Sequence, residues 1–250
     1  MSFPTMAGEA PFSSLYADPT TTQKAHIGAL AMDPLGGLWR YMKAGAAITN
    51  PLLGCGSYSQ PCDCTPGATA VGSWTIALTG LTPLTSVAKD LFANGTIIIG
   101  AAAGYRRFYH IKGNTLSATT TTTLTLHQPV TYAIAGTEWA TMVPNRFLDV
   151  RHLSAGQSMM SVCCMPLRAV ASGSYCWAKV RGETFGVVSS TVPGAASNDR
   201  MVVFQGTDGA LIMADEAFHA ANSQQIAGWL IPRTGGDYAA GDQTFWLQIE

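Results

Sequence analysis

Apolar and polar positions along this chain alternate with a period of two over many short runs, and a helical period of 3.6 is not sustained over three turns anywhere. The pattern predicts strands at Ile27 to Asp33 and Leu38 to Lys43 around the turn Pro34-Leu35-Gly36-Gly37, a hairpin signal. On the second of these strands Trp39, Tyr41 and Lys43 share one face and Leu38, Arg40 and Met42 the other. Further strands are predicted at Trp74 to Leu78, across the β-branched run ending Ile97-Ile98-Ile99-Gly100, and from Tyr105 to Gly113. The rhythm continues through Thr119 to Leu126, Thr131 to Ala135 and Trp139 to Val143. A second region holds strands at Met159 to Pro166 and Ser174 to Val180, then at Met201 to Gln205, Ala210 to Ala214, Gln225 to Ile231 and Thr244 to Ile249. Short strands at this spacing with Gly and Asp turns predict an all-β fold, built as sandwich or barrel domains. The one helical expectation is a single turn over Ser86 to Phe92, stopped by Gly95.

Two stretches break the alternation. Residues 1–25 are rich in Pro, Ser, Thr and Ala and read as an extended N-terminal arm, with Phe3, Phe12, Leu15 and Tyr16 as anchors for a neighbouring surface. Residues 50–72, dense in Pro, Gly, Ser and Cys, read as an exposed excursion. The expected organisation is therefore an arm over 1–25, a first β region over 26–150 and a second over 151–250.

Composition sharpens this picture. Only 12% of the 250 residues are charged, and the mean hydropathy is +0.17. A surface so poor in charge points to a subunit that covers part of itself in an assembly. Net charge is −1, with no block of Lys and Arg, which sets direct nucleic-acid binding aside. No apolar stretch has the length of a membrane-spanning helix and the first 25 residues lack a secretory pattern, so the expected site of synthesis is the cytoplasm, with no membrane partner.

The search for chemistry returns only decoys. Ser86-Val87-Ala88-Lys89 has the Ser-x-x-Lys spacing, with Ser197-Asn198-Asp199 and Arg233-Thr234-Gly235 as loose companions, but an acyl-enzyme of that type needs a helical scaffold this chain lacks. The histidines at 26, 110, 127, 152 and 219 never fall at a metal-ligand spacing. The acidic pairs Asp215-Glu216 and Asp237 with Asp242 read as solvated turns. Cys62-Asp63-Cys64 is one residue short of a zinc-knuckle pair, and reduced or locally paired cysteine is the expectation. In a hairpin centred near residue 170, Cys164 falls close to opposite Cys176. No cofactor, metal or catalytic set is expected.

Several segments carry a resemblance. Ala93-Asn94-Gly95-Thr96-Ile97-Ile98-Ile99-Gly100, running on through Ala103 to Gly113, is followed by the threonine-rich strand at Thr119 to Leu126 and by Val143-Pro144-Asn145. His26-Ile27-Gly28 leads into Leu38-Trp39-Arg40-Tyr41-Met42-Lys43-Ala44-Gly45, and Tyr175-Cys176-Trp177-Ala178-Lys179-Val180-Arg181-Gly182 closes on a glycine. In this order they resemble a family of tailed-bacteriophage virion proteins that decorate the capsid as cement. The resemblance implies a non-enzymatic subunit on the outer capsid surface, bound to the major capsid protein, and a homo-oligomer, with a trimer favoured. The interface candidates are the arm anchors Phe3, Phe12, Leu15 and Tyr16, with Trp39, Tyr41, Tyr105, Tyr109 and Trp177, strand aromatics that read as core or subunit interface because one face of an alternating strand is normally core. The Cys55 to Cys64 loop and Cys163-Cys164 depart from the resemblance. The alternative is a receptor-binding tail fibre or knob that recognises host carbohydrate through exposed rings.

Overall fold

A computed structural model describes residues 12–100, 106–153, 161–189, 200–214, 225–231 and 243–250. Among them the protein is nearly all β, as the alternation predicts, with one helical turn, α1 (Phe12–Leu15). The chain divides into two compact units: Ser59–Asn145 forms one, and Met1–Tyr58 with Arg146–Glu250 forms the other. The division is thus an insertion, where the sequence suggested two consecutive regions meeting at residue 150. The physical reason lies in β3 (Cys55–Ser57), the last strand before the insertion, which pairs antiparallel with β10 (Val150–His152), the first strand after it.

The discontinuous unit is built on a seven-stranded sheet. β1 (Leu30–Met32) and β2 (Leu38–Lys43) form the expected hairpin, with Leu30 opposite Arg40. β2 pairs with β12 (Tyr175–Gly186), β12 with β16 (Gln243–Gln248), β16 with β15 (Ile226–Leu230), β15 with β13 (Met201–Phe204) and β13 with β14 (Leu211–Met213). β11 (Val162–Cys164) lies on the other side of β3 in a small three-stranded sheet. Phe204, Phe245, Leu247, Met42 and Ile48 are among its fully buried side chains.

Ser59–Asn145 closes into a six-stranded barrel. Its strands β4 (Cys62–Pro66), β5 (Thr75–Thr82), β6 (Thr96–Gly100), β7 (Arg106–Asn114), β8 (Thr122–Leu126) and β9 (Trp139–Val143) run around it in the order β4, β5, β8, β7, β6, β9, and β9 pairs back onto β4. A barrel this small is filled by its own inward side chains. Cys62, Ile76, Leu78, Ile97, Ile99, Tyr109, Ile111, Leu124, Leu126 and Met142 supply them, while the residues between them face out.

Several sequence expectations are corrected. Residues 50–72 are not an exposed excursion: they hold β3 and β4, and Leu53, Cys55, Cys62 and Cys64 are buried. Residues 86–92 form turns and no helix, because Asn114 takes over their backbone. Its Nδ2 donates to the Ala88 carbonyl at 2.8 Å and its Oδ1 accepts from the Phe92 amide at 2.9 Å. Residues 131–135 make only an isolated bridge, Ile134 with Thr69. The segment 12–25 is no free arm, since Leu15 packs under Trp39, the Lys24 amide donates to the Tyr41 hydroxyl, and Thr20 bridges Tyr175. Phe3 and Tyr105 lie outside the described residues.

Candidate contact surfaces

The sequence candidates separate by burial. Leu15, Trp39, Tyr41 and Tyr109 are core residues, so they cannot serve as contacts for a partner as expected. Trp39, Tyr41 and Lys43 do share a face with Lys179, Trp177 and Tyr175 across the β2–β12 ladder, and that face is covered by residues 12–25 of the same chain. Tyr41 meets Trp177 edge-on at 5.1 Å and stacks on Tyr175 at 6.2 Å. Phe12 and Tyr16 keep part of their rings exposed, and half-buried Trp177 packs against the Leu15–Trp39 cluster.

Beside Trp39 lies a buried ion pair that sequence reasoning missed. The Asp33 carboxylate accepts hydrogen bonds from the amides of Leu35 at 3.0 Å and Gly37 at 2.7 Å, and from the Trp39 indole at 3.0 Å. Lys179 Nζ stands 3.4 Å from it, donates to the Glu183 carbonyl at 2.6 Å, and sits 5.1 Å from the Trp39 ring centroid. Burial pushes the Asp33 carboxyl up, but the Trp39 and Gly37 bonds, Lys179 and the Leu35 amide outweigh it and hold the group below its ordinary value. Burial likewise pulls Lys179 below the usual lysine range, against the opposing charge of Asp33. The only sequence signal was an aspartate three residues before a glycine pair, the mark of a side chain that caps its own turn.

This pair forms the floor of a cleft of about 580 Å³, with Tyr16, Leu35, Leu52, Leu167, Phe185 and Trp246 among its walls. The floor's polar groups bond one another and Arg168 pairs with Asp18, so the cleft offers a visitor mainly apolar wall, with Arg168, Glu183 and Thr184 as its remaining polar lining. At its mouth the outward face of the sheet carries a cross-strand tryptophan pair, Trp229 opposite Trp246, with Phe185 near by opposite Thr244. The three rings are 49%, 40% and 56% exposed. Neither tryptophan is placed by local sequence, because their meeting depends on the register of β15 with β16.

The barrel has an outward face of different character. One row across it reads Trp139, Gly100, Arg106 and the next Thr141, Ile98, Phe108. Arg106 lies 5.8 Å from the Trp139 ring centroid, and Thr141 Oγ1 donates to Asp63 Oδ1 at 2.6 Å.

The cysteines form no disulfide. Cys55, Cys163, Cys164 and Cys176 share one buried cluster with Met42. The expected Cys164–Cys176 register is not formed: Cys164 lies opposite Cys55, Cys176 opposite Met42, and β12 meets the end of β11 through Met165 and Lys179. Among the described residues no group of His, Cys, Asp or Glu is placed to hold a metal ion, and no helix is long and apolar enough to cross a membrane.

Fold and surfaces together define an all-β protein of two units, each presenting aromatic side chains to solvent. The chain matches no family model, no curated protein and no solved structure.

Proposed function

We propose that the protein is a non-enzymatic virion subunit that binds the outside of a bacteriophage capsid as an oligomer and stabilises it by contact. The observation that carries this reading is the Trp229–Trp246–Phe185 face beside an apolar cleft. Large rigid rings next to a pocket are the anatomy of an interface hot spot, where a few side chains supply most of the binding energy. A low share of charge suits a surface that is covered in its working state. A subunit that touches several capsid proteins at once gains from each contact the effective concentration imposed by the others.

A cement subunit binds the assembled lattice and not its separated parts, so it raises the temperature at which the lattice opens. The test is the midpoint of heat-induced DNA release from particles stripped of the protein, with and without adding it back. The expected result is a higher midpoint with the protein, and loss of at least tenfold in particle affinity for the double variant Trp229→Ala, Trp246→Ala. An unchanged midpoint, together with loss of adsorption to host cells when the protein is absent, would overturn the reading in favour of receptor binding.

A further inference from the structure

We infer that the Trp139–Phe108 face of the barrel is a binding site for a neutral polysaccharide, one sugar ring lying on the indole and another of the same chain on Phe108. The proposal rests on the barrel alone and stands or falls apart from the capsid-binding face of the other unit.

The indole of Trp139 lies down across the sheet. A Cβ built on Gly100 would come within 2.1 to 2.5 Å of indole atoms Cε2, Cζ2 and Nε1, so only glycine on β6 lets the ring rest there. One side of the ring is then against backbone, and the residue is still 50% exposed. One rung along and on the far side of β6, about 6.6 Å in the strand direction and two strand spacings, about 9.6 Å, across it, Phe108 is 59% exposed in a row with Ile98 and Thr141. The result is two exposed rings spaced across an open sheet face and not a pocket for an anchoring side chain.

The groups around the rings choose the visitor. A sugar ring has an apolar C–H face and a rim of hydroxyls that both donate and accept. Asp63, exposed beside Thr141, accepts; Arg106, beside the indole, donates as a planar fork. An acidic polymer is poorly matched, because Ser59–Asn145 carries four Lys and Arg against three Asp and Glu, with Asp63 bordering the face. A protein hot spot is poorly matched too, since hot-spot rings sit in or against well-packed pockets, and here both rings lie on an open sheet face.

Native electrophoresis of the full chain through gels cast with dextran, galactomannan or a soluble β-glucan, and in parallel with hyaluronate or heparin, tests the site. The expected result is retardation by at least one of the neutral polymers, lost by tenfold or more in Trp139→Ala, weakened several-fold in Phe108→Ala and kept in Trp229→Ala. Gly100→Ala should weaken it as well, by lifting the indole. Circular dichroism confirms the fold of each variant; if Trp139→Ala lost its β spectrum, Phe108→Ala carries the same two outcomes. Free migration in all three neutral gels, retardation by the anionic polymers alone, or retardation undiminished in folded Trp139→Ala or Phe108→Ala overturns the proposal.

Discussion

Asp33 shows how one side chain can hold a turn, a ring and a cation together. Three N–H donors and an ammonium converge on a carboxylate that is 1% exposed. Replacing it with alanine strands Lys179 in the interior and leaves the Trp39 indole without its acceptor. Asp33→Ala should cost about 3–5 kcal/mol, the usual penalty for breaking a buried pair from one side, read as a lowered urea midpoint at neutral pH. The pH dependence has a defined sign. Because the folded carboxyl lies below its ordinary value of 3.8, its contribution is complete above that pH and is lost as the pH falls from there through the folded value. A wild-type urea midpoint that drops below pH 4 no more steeply than that of Asp33→Ala would count against this account.

At the scale of elements, the segment 12–25 behaves as part of the sheet it covers. Leu15 is 2% exposed against Ala31 and Trp39, and Tyr16 meets Trp39 edge-on at 5.0 Å. Truncating such a buried leucine leaves a cavity, so Leu15→Ala should cost about 2–5 kcal/mol, visible as a lower thermal midpoint. A midpoint unchanged from wild type would show that the segment lies on the sheet without stabilising it. The strands themselves were legible wherever one face is buried and the other wet, as in β5 and β7, since that asymmetry writes alternation into the sequence. It failed at β3 and β4, where Cys, Gly and Pro, residues that punctuate loops, fill buried positions. The covering role of 12–25 was hidden for a related reason: its anchors Leu15 and Tyr16 are visible as apolar residues, but the surface they meet is assembled from β2 and β12, far away in sequence. The contact surfaces share that difficulty. Trp229 and Trp246, or Gly100 and Trp139, become neighbours only through the register of strands paired over long separations, whereas Trp39 and Lys43 on one strand could be placed on a face directly.

For the whole molecule, the insertion of one β unit into another separates two surfaces of distinct chemistry onto two separate cores. It also distributes the thiols: Cys62 and Cys64 belong to the barrel, and Cys55, Cys163, Cys164 and Cys176 to the other unit. All six are buried and unpaired, and burial pushes Cys64 and Cys176 up to about 12. A thiol in that state is a poor nucleophile and out of reach of reagent. The native protein should therefore be silent toward a disulfide reagent such as DTNB on mixing, each sulfur reacting only when its own surroundings open; a rapid burst from the untreated protein would contradict the packing. Mapping the modified peptides over time then gives two built-in clocks, one ticking with the breathing of the barrel and the other with that of the sheet, with no label having to be introduced.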